Sequence, residues 1–336
     1  MRPLKEMVRS AVSYAVVGGG MAAAGRALFP KPGPFILMGH RICGDDEGFL
    51  PGVSPELFDE QLRYLTRHYE PLSLADLVET IAAGLRPPAK SFVLTFDDGF
   101  RDNYEHALPL LEKYEVPATV FAVTRCLDSG RLPWPQELGF VLQHAQREEV
   151  RHALLGPEPV PVGGREARWQ IWRKLFRSLR RLGREARDEV IEGLARDLRV
   201  DLPEDRMCSW EQAREMQSSG IDIGAHTYSH PWLAEIPFAE ACREIERSKA
   251  DLVEKLGVDR PPFAFPGGSM SSELVEVVRT VGLKSCFQSN PRVRFNLPGV
   301  VGPYSLSRIG LPNSPAVMLE AELDGPLHTI RRLYRR

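Results

Sequence analysis

The chain has 336 residues, 43% of them hydrophobic and 26% charged, with a formal net charge of −2; this is ordinary for a globular protein with a large core. Its length admits one large or two average domains, and the near-neutral balance excludes nucleic-acid binding driven by overall basic charge. Five cysteines (Cys43, Cys126, Cys208, Cys242 and Cys286) are scattered, odd in number and form no Cys-x-x-Cys pair, which excludes a disulfide framework or a cysteine zinc site.

The N-terminus reads MRPLKEMVRS and then AVSYAVVGGGMAAAG. Basic residues before a small-residue apolar run have the layout of an export signal. The run is short, is broken by three glycines and lacks leucine, and it is too short to span a membrane. Residues 1–33 are therefore expected to form a helical or peripheral segment, with a cleaved signal as the alternative. The expected location is the cytoplasm or the inner face of the membrane, with export left open.

Beyond residue 33, short apolar runs alternate with stretches of helical period. The strand candidates are Phe35–His40, Ser91–Asp98, Ala118–Thr124, Asp222–Thr227, Phe263–Pro266, Lys284–Ser289 and Ser305–Ile309. Ser54 is a good N-cap with Pro55 at the first helical position, and Phe58, Leu62, Leu65 and Tyr69 then make one stripe. Ser209 and Gln212 form a capping box. Phe238, Ala241, Ile245, Leu252 and Leu256 share a face, and Gly220 and Gly257 stand where helix ends need them. Strand–helix alternation implies parallel strands covered by helices. Seven such strands suit an α/β barrel better than an open sheet, and no Gly-x-Gly-x-x-Gly follows the first strand.

Residues 137–206 break this rhythm. They contain no strand candidate and are expected to be a helical insertion. Within Arg165–Arg187 there are nine basic residues, and Trp169, Trp172, Phe176, Leu179 and Leu182 recur at helical spacing. An inserted helix docked by its apolar stripe is one reading; a lid or a helix facing anionic lipid is the other. The basic tail, residues 312–336, could join the second.

Chemistry collects at the strand ends. The second strand runs into Asp97-Asp98-Gly99, the first into His40, and the fourth into His226-Thr-Tyr-Ser-His230. Asp-Gly after a strand is also an ordinary turn, but adjacent carboxylates at a buried strand end repel. In α/β barrels the C-terminal strand ends share one face, which carries the active site. Two imidazoles and a carboxylate make an open site for a divalent metal. His226 and His230 are expected to point the same way from one helical turn. One aspartate would bind the metal, which would offset the charge of its neighbour and leave that neighbour free to act as general base. Gly99 would allow the turn that brings the second carboxylate round.

These residues resemble the polysaccharide deacetylases with the NodB-homology domain, a carbohydrate esterase family 4-like group. Thr95-Phe-Asp-Asp-Gly99 looks like the first family motif and His226-Thr-Tyr-Ser-His230 like the second, and the likeness runs from about Phe35 to Ile309. The resemblance implies a distorted (β/α)7 barrel over residues 34–311 and metal-dependent removal of N-acetyl groups from sugars. Carried over by position, Asp97 would be the general base, and Asp98, His226 and His230 would hold zinc or another divalent ion such as cobalt or nickel. The third motif departs from the usual pattern. Phe263-Ala-Phe-Pro-Gly-Gly268, the form found in one branch of the family, puts Ala264 where an arginine would orient the base. Arg308 on the last strand is the expected substitute. No fourth motif follows the fifth strand. The oxyanion would meet the metal and a backbone N–H near Gly267, in the turn that Pro266 opens. The general acid is expected to be His40, as in permuted relatives, in preference to His328 in the basic tail. Phe96, Trp232, Phe265 and Phe287 are the candidates for stacking on sugar faces.

The expected substrate is an N-acetylated sugar in a polysaccharide or lipid-linked glycan, with no nucleic-acid partner. The basic helix suggests peripheral membrane contact. The alternatives are a catalytically silent carbohydrate-binding member of the same fold and a different metal-dependent amidase.

Overall fold

The computed structural model of the chain describes residues 14–15, 17–20, 34–44, 49, 51–288, 296 and 301–324. Most of the N-terminal segment, the basic tail beyond Asp324 and His328 lie outside them. Strand β1 (Phe35–Gly39) leads to helix α1 (Pro55–His68), strand β2 (Glu70–Pro71), α2 (Leu74–Ala82) and β3 (Ser91–Asp98). A π-helical turn, Asn103–Ala107, runs into α3 (Leu108–Lys113), followed by β4 (Ala118–Ala122), α4 (Thr124–Ser129) and α5 (Trp134–Gln143). Then come β5 (Glu149–Val150), β6 (Val160–Pro161), α6 (Arg165–Leu179), α7 (Arg184–Leu198), α8 (Trp210–Ser218) and β7 (Ile221–Ala225). The chain continues through α9 (Phe238–Leu256), α10 (Ser272–Thr280), β8 (Phe287–Gln288), β9 (Leu306–Ser307), β10 (Ile309–Gly310) and α11 (Ala316–Leu323).

Helix starts follow side-chain chemistry. Ser54, Ser73, Ser209 and Ser271 each accept a hydrogen bond from a backbone N–H of the first turn, and Ser209 with Gln212 closes the capping box. Each such cap contributes about 1 kcal/mol. Gly257 ends α9 in the left-handed region at φ 68°, where a side chain would be strained. The stripe on α1 is buried, as its spacing requires, but Phe238 at the start of α9 is 55% exposed.

The main sheet has the order β10-β1-β3-β4-β7, all parallel, with β2 on the first two residues of β3. Beyond β7 the neighbours continue through single bridges. Phe263 pairs with Ala225 on one side and Cys286 on the other, and β8 then pairs with β9. Arg308 is the one residue between β9, which faces β8, and β10, which returns to β1. All seven strand positions expected from the sequence take part in this distorted barrel, but the last three are fragments. The expected strand Phe263–Pro266 shrinks to a bridge because Pro266 has no N–H to donate and Gly267 turns the chain at φ 59°.

Alternation along the strands divides the core. Phe35, Leu37, Phe92, Leu94 and Phe96 pack outward against helices α1, α3, α8 and α9. Ile36, Val93, Phe121, Ala264, Phe287 and Leu306 form a second cluster with α2. By the period of two, Thr95 and Asp97 share the face of Val93.

The insertion has its own hydrophobic cluster, from Trp134 to Val200. Trp134, just ahead of residue 137, packs in this cluster. Two expectations need correction there. The insertion holds a short antiparallel pair, β5 with β6, in a stretch that carries no long apolar run. The basic stretch is two helices, α6 and α7, broken at Arg180–Gly183. Among the described residues no helix is long and apolar enough to cross a membrane.

Candidate active site

The parallel register brings the polar strand ends to one rim. Asp98 pairs with Ala122 and Ala122 with Ala225, so Ala225 stands at the level of Asp98 and His226 follows one residue beyond. Gly39 pairs with Phe96, so His40 emerges at the level of Asp97. Asp97, Asp98, His226 and His230 are all buried, whereas His40 is exposed.

The two adjacent carboxylates separate through backbone conformation. Asp97 keeps the alternation of β3 and points to the Thr95 face. Asp98 takes φ 76° and Gly99 φ 80°. Asp tolerates this region better than most residues, at a cost of order 1–3 kcal/mol. The strain sits on Asp98 as well as on Gly99, which extends the expected role of the glycine alone.

His226 and His230 do not share a helical turn, as their spacing suggested. The segment between them is an irregular loop in which Thr227 and His230 have φ 70° and 61°. His230 N–H donates to Thr227 Oγ1 at 2.9 Å, and the N–H groups of Thr124 and Arg125 donate to the carbonyls of Thr227 and Tyr228. These bonds hold the loop without helix. The two rings still converge, with centroids 5.1 Å apart.

Asp98 Oδ1 lies 3.5 Å from His226 Nε2 and 3.2 Å from His230 Nε2. One ligand atom from each of the three residues falls within 4.8 Å of the others. Asp98 Oδ1 is buried and accepts no hydrogen bond, a costly state for a carboxylate oxygen unless a cation faces it. His226 Nδ1 lies 2.8 Å from the Ala264 carbonyl. That partner makes Nδ1 the protonated nitrogen and leaves the Nε2 lone pair facing Asp98. Burial pushes the His226 imidazole down to about 4, against the pull of Asp97, so it is neutral at pH 7. Burial would raise Asp98, but the charge interaction with His230 foremost, then His40 and His226, holds its carboxyl below the ordinary range. A neutral imidazole, a second imidazole and an ionised carboxylate with a bare oxygen fit a divalent metal.

Arg308 reaches the rim from the gap between β9 and β10. Its guanidinium grips Asp97 with both nitrogens, Nη1 to Oδ1 at 2.6 Å and Nη2 to Oδ2 at 2.7 Å. It lies over the Phe287 ring, 4.5 Å from its centroid. Burial tends to raise Asp97, but the Arg308 charge, followed by His226, outweighs it and holds the carboxyl below its usual range. Ala264, at the place of the missing arginine, is buried and offers only its backbone to the site.

The loop after β1 is held from the segment that follows β3. Asn103 Nδ2 donates to the His40 carbonyl at 2.8 Å, and Ile42 N–H donates to Asp102 Oδ1 at 3.0 Å. Arg41 Nε in turn donates to Asp102 Oδ2 at 2.8 Å. The His40 ring is near enough to act electrostatically on both Asp97 and Asp98. Gly267 stands beside Trp232, and a Cβ there would come 2.4 Å from the indole. Trp232 meets His230 edge-on, ring centroids 5.8 Å apart. Phe96, Phe265 and Phe287 are buried core residues; with no exposed face they cannot stack on a sugar, which leaves Trp232 of that set.

Sequence reasoning missed several residues that touch the site. Gln136 Nε2 donates to Asp98 Oδ2 at 2.9 Å, and Trp134 Nε1 donates to the His230 carbonyl at 2.8 Å. Ser229 gives its N–H and Oγ–H to Glu244 at 2.7 and 2.6 Å. The fully buried Arg187 donates to Ser229 O and Oγ, each at 3.2 Å. An arginine on a helix of mixed charge gives no local sign of burial, so nothing in the sequence singles Arg187 out.

A family model described as polysaccharide deacetylase matches residues 84–286, more than half of the chain. The YxkH protein of Bacillus subtilis (strain 168) is 27% identical over 110 residues, 32% of this chain and 38% of its own length. The poly-beta-1,6-N-acetyl-D-glucosamine N-deacetylase of Escherichia coli (strain K12) is 33% identical over 104 residues, 30% of this chain and 15% of its own length. The match thus spans well under half of either curated relative. Among solved structures, the Streptococcus pyogenes deacetylase PplD in complex with acetate has 21% identity and a TM-score of 0.57, covering 86% of this chain and 97% of that one. IcaB from Ammonifex degensii has 22% identity and the same TM-score, covering 87% and 97%. At these identities the two structures speak for the fold alone.

Proposed function

The chain belongs to the polysaccharide deacetylase family, and from that premise we propose that it is a metal-dependent hydrolase that removes N-acetyl groups from an N-acetylated glycan. The observation that carries this reading is the convergence of Asp98, His226 and His230 next to an Asp97 that Arg308 fixes in place. The resemblance of the first two motifs to those of the family assigns the same four residues. The similarity to an N-acetylglucosamine polymer deacetylase supports an amino-sugar polymer as substrate.

In this reading Asp98, His226 and His230 hold zinc or a similar divalent ion. Such an ion, when bound, acidifies a water molecule and polarises the acetamide carbonyl. Asp97 accepts a proton from the attacking water as the new C–O bond forms. A carboxylate held below its usual range is a weak base, so its part is to be correctly placed; the Arg308 fork supplies that placement. The Gly267 N–H donates to the oxygen that gains charge. His40 passes a proton to the nitrogen as the C–N bond breaks, leaving acetate and a free amine. Trp232, half-buried beside His230, is the aromatic face for the sugar.

The test is acetate release from poly-N-acetylglucosamine oligomers by the metal-loaded chain, compared with Asp97→Asn. Release that falls by at least 10²-fold in the variant supports the reading. Equal release from both would sink the assignment of Asp97, and no release by the wild type from any N-acetylated glycan would sink the activity.

A further inference from the structure

The insertion does more than dock on the barrel. Two of its side chains reach residues read above as metal ligands, a third reaches the neighbour of one, and each reaches a different place. Gln136, on α5, gives its amide N–H to Asp98 Oδ2 at 2.9 Å. With Oδ2 taken, Oδ1 is the bare oxygen, and it faces both imidazoles. Trp134, on the same helix, holds the carbonyl of His230. Arg187, on α7, holds Ser229, the residue before His230.

These three are themselves tied together. The Arg187 guanidinium lies 5.1 Å from the Trp134 ring centroid. Arg131, just before α5, bonds Glu137 on α5 and Glu192 on α7. The two helices therefore approach the site as one braced unit. Their contacts reach across long sequence separations, 38 residues from Gln136 to Asp98 and 96 from Trp134 to His230.

We infer that the inserted helices set the metal affinity of this site, with Gln136 as the positioning residue that presents Asp98 Oδ1 to the ion. The inference rests on the metal reading above. Asp98 sits on a strained backbone at a strand end, and no donor but Gln136 holds its Oδ2 among the described hydrogen bonds. Without that bond the carboxylate can rotate about its last side-chain torsion and offer either oxygen or both. Loss of an outer partner of a metal ligand costs about 10–100-fold in metal affinity. A purely structural insertion would instead lower the stability of the metal-free fold and leave affinity unchanged.

The experiment measures Zn²⁺ affinity of the full chain by competition with a chromophoric chelator, together with the visible absorption bands of the Co²⁺-loaded protein. The proteins are the wild type and Gln136→Met, which keeps the length of the side chain and removes its donor. The expected result is a dissociation constant raised about 10–100-fold, with altered Co²⁺ bands and an unchanged melting point of the metal-free protein. Wild-type affinity and bands in Gln136→Met overturn the inference while the metal reading stands. If Gln136→Met does not fold, Gln136→Ala carries the test, since it also removes the donor to Asp98 Oδ2 while adding no bulk. Wild-type affinity in that variant is equally decisive. A wild type that binds no divalent ion removes the metal reading and this inference together.

Discussion

Replacing Arg308 by methionine removes both hydrogen bonds from a carboxylate almost wholly shielded from water. The side chains of Arg308 and Asp97 are 9% and 5% exposed, and the shorter of their two bonds is 2.6 Å. Breaking a buried pair by removing one partner costs about 3–5 kcal/mol, because a charge stays behind uncompensated. The sign of the pH dependence follows from the same pair. In the wild type Asp97 lies below its usual range. Its contribution is therefore complete above the unfolded pKa of about 4 and is lost as pH falls through the folded value. In Arg308→Met the strongest influence opposing burial is gone, the folded pKa rises above the unfolded one, and Asp97 destabilises most at neutral pH. The deficit should be near 3–5 kcal/mol at pH 7.5 and shrink toward pH 4, as Asp97 takes up a proton. Urea unfolding of the metal-free proteins at both pH values measures it. Adding Asp97→Asn to Arg308→Met removes the stranded charge and should recover most of the loss. A deficit below about 1 kcal/mol at pH 7.5, or one that Asp97→Asn does not relieve, would refute this account of Arg308.

Two further outcomes are expected. His40→Ala should lower acetate release by about 10²–10⁴-fold, the usual worth of a general acid, and leave metal content unchanged; loss of metal in parallel would show that His40 has been misassigned. His226 titrates near 4 in the metal-free fold and near 6.5 unfolded. The unfolded state therefore binds the extra proton first, and the metal-free protein should lose about 3 kcal/mol between pH 6.5 and pH 4. His226→Gln should flatten that slope, and an identical slope in both proteins would contradict a buried, neutral His226.

The strands that carry the site are legible in the sequence for a simple reason. β1, β3 and β4 are buried on both faces and read as unbroken apolar runs, so their ends, and the polar residues there, can be located. The segment Phe263–Pro266 is apolar too, but Pro266 and Gly267 cut its hydrogen bonding to bridges at Phe263, which composition does not reveal; Lys284–Ser289 is of mixed polarity, and among its described residues Phe287–Gln288 pairs as a strand. Arg308 was legible only as a candidate, because a long side chain from a strand gap reaches its partner through space. Gln136, Trp134 and Arg187 were illegible for the same reason: each meets the site across a tertiary contact, and each sits on a helix whose pattern speaks only of its own core. The conformation of Asp98 belongs to this class as well, since the Asp-Gly pair announces a turn without saying which residue bears the positive φ.

Metal content per chain, after removal of loosely bound ions, tests the central claim most directly when wild type and His230→Ala are compared. The account predicts about one equivalent of zinc or a similar divalent ion in the wild type, held by the Asp98–His226–His230 cluster, and its loss in the variant. A folded wild type that holds no metal and cannot be reloaded would contradict it.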